Sequence, residues 1–207
     1  MKRNNVRIAV QKDGRLRASS LKFLESLGLA IKKVDERALV AQCSNENVEI
    51  LYVRHSDIPK YVLNGVADFA ILGANVLYEN SLELKKIKTL DFGQCSLKIA
   101  VPKESPIKNI IDLNGERIAT SYPNSLCKFL QSQKIHASII EINGSVEVTP
   151  SLGLADAICD LTQTGNTLKA NGLRSIHTIF DSVALFVESP FEDSLKKKFI
   201  EKFLESK

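Results

Sequence analysis

Short β-rich runs alternate with amphipathic stretches of helical period almost from end to end of this chain. Val6–Val10, Val48–Val53, Ala67–Leu72, Leu97–Val101, Arg117–Thr120, Ser138–Ile142, Ala155–Asp160 and Val183–Val187 have the length and apolar content of strands. Helical spacing shows at Leu16, Phe23, Leu24 and Leu27, and at Ile58, Val62 and Val66. It returns at Leu126, Phe129 and Leu130, and at Phe191, Leu195, Phe199 and Phe203. Each set places its apolar side chains on one helix face. The alternation predicts an α/β fold with mostly parallel sheets and ligands at the carboxyl ends of strands. Asp91-Phe92-Gly93 and the segment His177–Asp181 read as linkers, and Pro102–Pro106 as a loop after a strand.

Composition narrows the classes. With 207 residues, 44% hydrophobic and 25% charged, the chain can bury a core as one large domain or two small ones. The net charge of +4 is mild, and Lys85-Lys86-Ile87-Lys88 and Lys196-Lys197-Lys198 have carboxylates close by. They read as solvated faces, not as a nucleic-acid stripe. Met1–Asn5 runs straight into the first strand without an apolar leader, and no apolar run reaches membrane-spanning length. A soluble, cytoplasmic chain is expected, with neither nucleic acid nor membrane as partner. Cys43, Cys95, Cys127 and Cys159 are far apart with no CxxC, and His55, His136 and His177 form no ligand pair. No metal site built from protein side chains is expected.

The candidate chemistry lies where strands should meet helices. Asp156–Leu168 reads as an apolar strand ending in Asp160, then a hydroxyl- and glycine-bearing turn, then a helix start. A carboxylate there can accept ribose hydroxyls, while Thr164, Gly165, Asn166 and Thr167 offer N–H groups and hydroxyls to a phosphate. An ordinary strand-to-helix turn with a Thr cap is the plainer alternative. Lys12 and Arg15 flank Gly14 in a turn that suits a polyphosphate, although a helix-start turn with exposed charges explains them equally. Ser56 or Asp57 can cap a helix with Pro59 in its first turn, and capping does not explain Arg54. Gly73 after an apolar strand permits close approach of a ligand or tight helix packing. Thr120, Ser121 and Tyr122 can hydrogen-bond or stack on a nucleotide, and Glu147 sits in the first turn of a helix opened by Gly144-Ser145.

Seven blocks in order, QKDGRL, VRHSDIP, ADFAILGANVL, LDFGQCSL, RIATSYP, NGSVEVTP and GLADAICDLTQTGNTLKANGL, make the chain resemble the catalytic subunits of the ATP phosphoribosyltransferase family. The resemblance covers nearly the whole length. Asp13, His55-Ser56, Ala70 and Ala74 depart from the commoner family pattern. The resemblance implies two lobes of the periplasmic-binding-protein type with an interlobe cleft, residues 1–92 plus 178–207 forming one lobe and 93–177 the other. It implies transfer of the phosphoribosyl group of phosphoribosyl pyrophosphate (PRPP) to N1 of ATP, the first step of histidine biosynthesis. Asp160, Thr162, Gln163, Thr164, Gly165, Asn166 and Thr167 would hold PRPP. Lys12, Gly14, Arg15, Arg54, Asp68, Gly73, Thr120, Ser121, Tyr122 and Glu147 would hold ATP, with Arg15, Arg54 and Asp160 catalytic. Mg²⁺ would travel with the substrate phosphates. The length is that of the short form of the family, which implies a hetero-oligomer of catalytic dimers with a regulatory subunit resembling histidyl-tRNA synthetase. Two rivals remain from the residues themselves: a non-enzymatic two-lobed binding module, and a phosphoribosyltransferase acting on a free base.

Overall fold

The computed structural model describes residues 3–35 and 37–204. Met1-Lys2, read above from sequence, and Glu205–Lys207 lie outside the described residues. Two compact units divide the chain: residues up to Leu77, Leu82–Gly93 and the residues from Val183 onward form the first, and Tyr78–Ser81 with Gln94–Ser182 form the second.

The first unit is built on a six-stranded sheet. Its strands are β1 (Val6–Gln11), β2 (Val40–Gln42), β3 (Val48–Val53), β4 (Phe69–Gly73), β5 (Lys85–Thr89) and β11 (Ala184–Glu188), in the order β2-β3-β1-β4-β11-β5. Only β3-β1 and β1-β4 run parallel. Helices α1 (Arg17–Ser26), α2 (Ile58–Leu63), α3 (Ala74–Asn80) and α6 (Ser194–Phe203) follow β1, β3, β4 and β11. Both faces of the sheet are covered, because alternate strand residues feed two separate apolar clusters. Ile8, Val10, Ile50, Phe69 and Phe186 take one side, and Ala9, Leu51, Ala70, Leu72 and Val187 the other. Phe69 stacks on Phe186 at 5.5 Å and meets Phe199 of α6 at 4.9 Å.

The second unit carries a five-stranded sheet, β10-β6-β9-β7-β8, from β6 (Cys95–Pro102), β7 (Arg117–Thr120), β8 (Ser138–Glu141), β9 (Ala157–Thr162) and β10 (Leu173–Ser182). Here β9-β7 and β7-β8 are parallel, and β10-β6 and β6-β9 antiparallel. α4 (Pro123–Gln133) packs Leu126 and Leu130 against Leu97, Ile99 and Ile118, and the short α5 (Asn166–Ala170) packs Leu168 on the opposite face.

Mostly parallel sheets were expected, and both are mixed. Parallel pairing is confined to the three strands in each unit whose carboxyl ends run into loops and helices. The expected linker at His177–Asp181 also fails. Those residues belong to β10, which pairs with β6 from Leu173 to Ser182 through two bulges, so the chain leaves the second unit after Ser182 and not at residue 177. The segment looked like a break because β10 is an edge strand whose polar residues face outward. Lys85–Lys88 likewise lies in an edge strand, β5, with its lysines exposed.

Candidate functional sites at the carboxyl ends of the parallel strands

In the first unit, the loops after β1 and β3 and the end of β4 share one sheet edge, because β3, β1 and β4 are adjacent and parallel. That edge collects Lys12, Gly14, Arg15, Arg54 and Gly73. Lys12 N–H donates to Val53 O at 2.8 Å, tying the two loops at their roots. Gly14 has φ +105°, a region that disfavours any side chain. Arg17 donates to Lys12 O at 2.9 Å, lies 4.8 Å above the Tyr52 ring, and has Asp13 3.8 Å away. Asp13 is therefore matched by Arg17. Among the described residues no carboxylate lies within ion-pairing distance of Lys12, Arg15 or Arg54. Arg15 and Arg54 are solvent-exposed and Lys12 is half-buried. Three cations without counter-ions on one edge suit a polyphosphate. His55 joins them: desolvation by the surrounding loops lowers its pKa, Asp57 opposes this, and Arg15 adds to it. It is a surface residue by exposed area, but it sits close enough to feel Arg15.

Asp68 does not belong to this edge. It immediately precedes β4, whereas Gly73 ends it, which puts about 16 Å of strand between them. It accepts from Arg3 at 2.5 Å and from Arg7 N–H at 2.8 Å, and burial raises its pKa against those bonds. Asp68 is thus a buried tie between the amino ends of β1 and β4. The helix cap also differs: Asp57 is the N-cap of α2 but makes no side-chain capping bond.

In the second unit the carboxyl ends of β8, β7 and β9 bring together Thr120–Tyr122, the segment after Glu141, and Asp160 with its loop. Asp160 Oδ1 accepts from Leu161 N–H at 2.7 Å and the residue is half-buried. Thr162 is buried, while Gln163, Thr164, Asn166 and Thr167 are exposed. The Thr cap of the plainer alternative is absent. Gly165 itself is the N-cap, at φ +77° and ψ 1°, and Thr164 Oγ1 accepts from Asn166 N–H at 3.4 Å. A Cβ on Gly165 would touch only Thr162 Cγ2, at 3.9 Å, so the glycine is demanded by its left-handed backbone and not by crowding. α5 has only five residues, so what the loop offers an anion is N–H groups and hydroxyls more than a helix dipole.

Thr120 and Ser121 play a different part from the ligand contacts expected of them. Thr120 is fully buried; its hydroxyl donates to Cys159 O at 2.6 Å and accepts from Tyr122 N–H at 2.9 Å. Ser121 donates to Ile142 O at 2.6 Å. These side chains lock the ends of β7, β8 and β9 together and set the position of the edge. Glu147 is half-buried in a single 3-10 turn, Val146–Val148, in place of the expected helix. Lys98, a lone charge inside the apolar run Leu97–Val101 that the sequence analysis did not single out, pairs with Asp160 across β6 and β9.

Comparison with known proteins agrees with this architecture. A family model described as HisG: ATP phosphoribosyltransferase matches residues 54–206, about three-quarters of the chain. The structure of the ATP phosphoribosyl transferase (HisG:HisZ) complex from Thermotoga maritima superposes with a TM-score of 0.81 at 30% identity, covering 97% of each chain. The periplasmic aliphatic sulphonate binding protein SsuA from Escherichia coli matches with a TM-score of 0.64 at 14% identity, over 99% of this chain and 70% of that one. The periplasmic VFT2 domain of Bordetella pertussis BvgS gives 0.61 at 16% identity, over 97% and 87%. The last two show a shared periplasmic-binding-protein fold alone.

Proposed function

The chain belongs to the ATP phosphoribosyltransferase family, and from that premise we propose that its two strand-end sites bind ATP and PRPP, the donor loop being Asp160–Thr167. The activity is phosphoribosyl transfer at the start of histidine biosynthesis. The observation that carries the assignment of the donor site is the succession of a half-buried carboxylate, exposed threonines and a left-handed glycine at the end of a parallel strand.

The chemistry asks little of acid–base groups. The N1 lone pair of adenine attacks C1 of the ribose, the bond from C1 to the pyrophosphate oxygen breaks with inversion, and pyrophosphate departs with the electron pair. N1 carries no proton, so no general base is required. The carbon gains cationic character as the bond loosens, and two polyanions must be held close together. Rate then comes from positioning and charge stabilisation. Asp160 holds the ribose hydroxyls and faces the developing cation. The loop Thr162–Thr167 holds the 5-phosphate. Lys12, Arg15 and Arg54 neutralise the polyphosphates, the arginines as bidentate forks.

Mg²⁺ fits this donor set only as a passenger of the substrate. No group of three or more His, Cys, Asp or Glu among the described residues could hold a metal ion, and the donor loop has one carboxylate among hydroxyls and amides. Phosphate oxygens and water would fill most of the ion's coordination, and the ion would ease departure of pyrophosphate. The Thermotoga maritima relative is a HisG:HisZ complex, and we carry over to this chain a hetero-oligomer with a HisZ-type regulatory subunit, assembled on catalytic dimers. No helix among the described residues is long and apolar enough to cross a membrane. A cytoplasmic location is part of the same reading.

Steady-state kinetics with ATP, PRPP and Mg²⁺, in the presence of a HisZ-type subunit, test these roles. Asp160→Asn should lower kcat/KM for PRPP by about 10²-fold or more, and Arg15→Ala and Arg54→Ala should each cost about 10-fold or more. Native rates in Asp160→Asn would overturn the donor-site assignment.

A further inference from the structure

We propose that Lys98 is a further substrate-binding residue, the cation in the second unit that takes the pyrophosphate group of PRPP; the inference rests on the donor-site reading above. Lys98 lies on β6 directly opposite Asp160 on β9, in antiparallel register. Directly opposed residues point to the same side of a sheet, with Cβ atoms about 5 Å apart. Which side is settled by the neighbours. Ala100 and Ile158, two residues along each strand and also paired, pack with Leu168 of α5 and Leu173, whereas Leu97 and Ile99 point into the cluster under α4. Lys98 and Asp160 therefore stand on the α5 side, one step nearer than Ala100 and Ile158 to the loop that leads into α5.

The charge balance of this face makes the lysine informative. The donor loop from Asp160 to Thr167 has one anion and no cation, yet it must receive a pyrophosphate ester of a phosphorylated sugar. Lys98 is half-buried and is the lone charge of the run Leu97–Val101, its stem lying on the sheet. Among the described residues no carboxylate, Asp160 included, lies within 4.0 Å of its amine. Its neighbours along the strand are accounted for, Ser96 donating to Asp181 at 2.7 Å. With the 5-phosphate in the loop and the ribose hydroxyls on Asp160, the group within reach of a lysine beside Asp160 is the pyrophosphate on C1. An ammonium there offsets the leaving group's charge without competing for the sugar.

Calorimetric titration of the full chain with inorganic pyrophosphate and, separately, with ribose 5-phosphate tests this. Lys98→Met should weaken pyrophosphate binding about 10-fold or more and leave ribose 5-phosphate within about twofold, while Lys98→Arg restores pyrophosphate binding. KM for PRPP should rise in parallel, with KM for ATP unchanged. Unchanged pyrophosphate affinity in Lys98→Met, or equal loss of both ligands, would overturn the proposal, as would a lower melting temperature with no change in affinity. If the native chain binds neither ligand, the donor-site reading itself fails, and Lys98 with it.

Discussion

Thr120 places a fully buried hydroxyl between two strand ends. Its two short bonds satisfy Cys159 O and Tyr122 N–H at once. Thr120→Val keeps the shape and strands both partners, so denaturant unfolding should show a loss of about 1–3 kcal/mol. KM values should move less than they do in Asp160→Asn. The cysteines divide by environment. Burial pushes the Cys43 thiol up to about 11 and raises that of Cys159 further, while Cys95 and Cys127 are half-exposed. Alkylation of the native protein at pH 7.5 should therefore modify Cys95 and Cys127 well before Cys43 and Cys159, with unfolding needed to equalise them. Gly165→Ala should cost about 1 kcal/mol through its left-handed backbone alone, since the space for a methyl group is there.

Among the elements, α4 shows how a helix end is fixed without a cap of its own. Tyr122 makes no side-chain capping bond, and the carboxylate of Glu79 serves instead. It accepts from Asn124 N–H at 2.9 Å, Ser125 N–H at 2.8 Å and Ser125 Oγ at 2.6 Å. Glu79→Ala should lower stability by about 1–3 kcal/mol and Glu79→Gln by less, because Gln keeps an acceptor but loses the charge at the dipole. The amino ends of β7 and β9 are tied by Arg117 and Asp156, with bonds of 2.8 and 2.9 Å. Hydrogen bonding from Arg117 holds the Asp156 pKa down at about 2. A depressed carboxylate contributes stability that is complete above its unfolded value near 4 and is lost as pH falls through about 2. Arg117 is nearly half exposed, so solvent screens the pair and its contribution is small. Acid unfolding of Arg117→Met should differ from native at pH 5 and converge with it near pH 2.

At the scale of the whole molecule, the alternation of apolar runs was enough to locate eight of the strands, because buried strands in α/β units carry few polar interruptions. Val40–Gln42, Lys85–Thr89 and Leu173–Ser182 escaped for one physical reason. All three lie at sheet edges, where one flank meets water and polar residues are tolerated. The site was legible to the extent that its chemistry lies in loops: Lys12, Arg15, Arg54 and Asp160–Thr167 sit at strand ends as the pattern implied. Asp68 was misplaced because a sequence does not say which end of a strand faces the ligand. Thr120 and Ser121 looked like ligand contacts because hydroxyls near a strand end read alike whether they bind substrate or backbone. Lys98 shows in the sequence only as a lone charge in an apolar run, and the register of β6 with β9 is what sets it opposite Asp160. Its place on the α5 face depends on pairing between segments about sixty residues apart.

Transfer of a phosphoribosyl group to ATP shows in the identity of the product. The native chain with a HisZ-type subunit, PRPP and Mg²⁺ would be given ATP together with equimolar adenine, hypoxanthine and uracil, and the products identified by mass spectrometry and NMR. A single ribosylated product is expected, ATP carrying phosphoribose on N1, formed with one pyrophosphate. A nucleotide made from a free base, or binding of PRPP with no product from any acceptor, would contradict it.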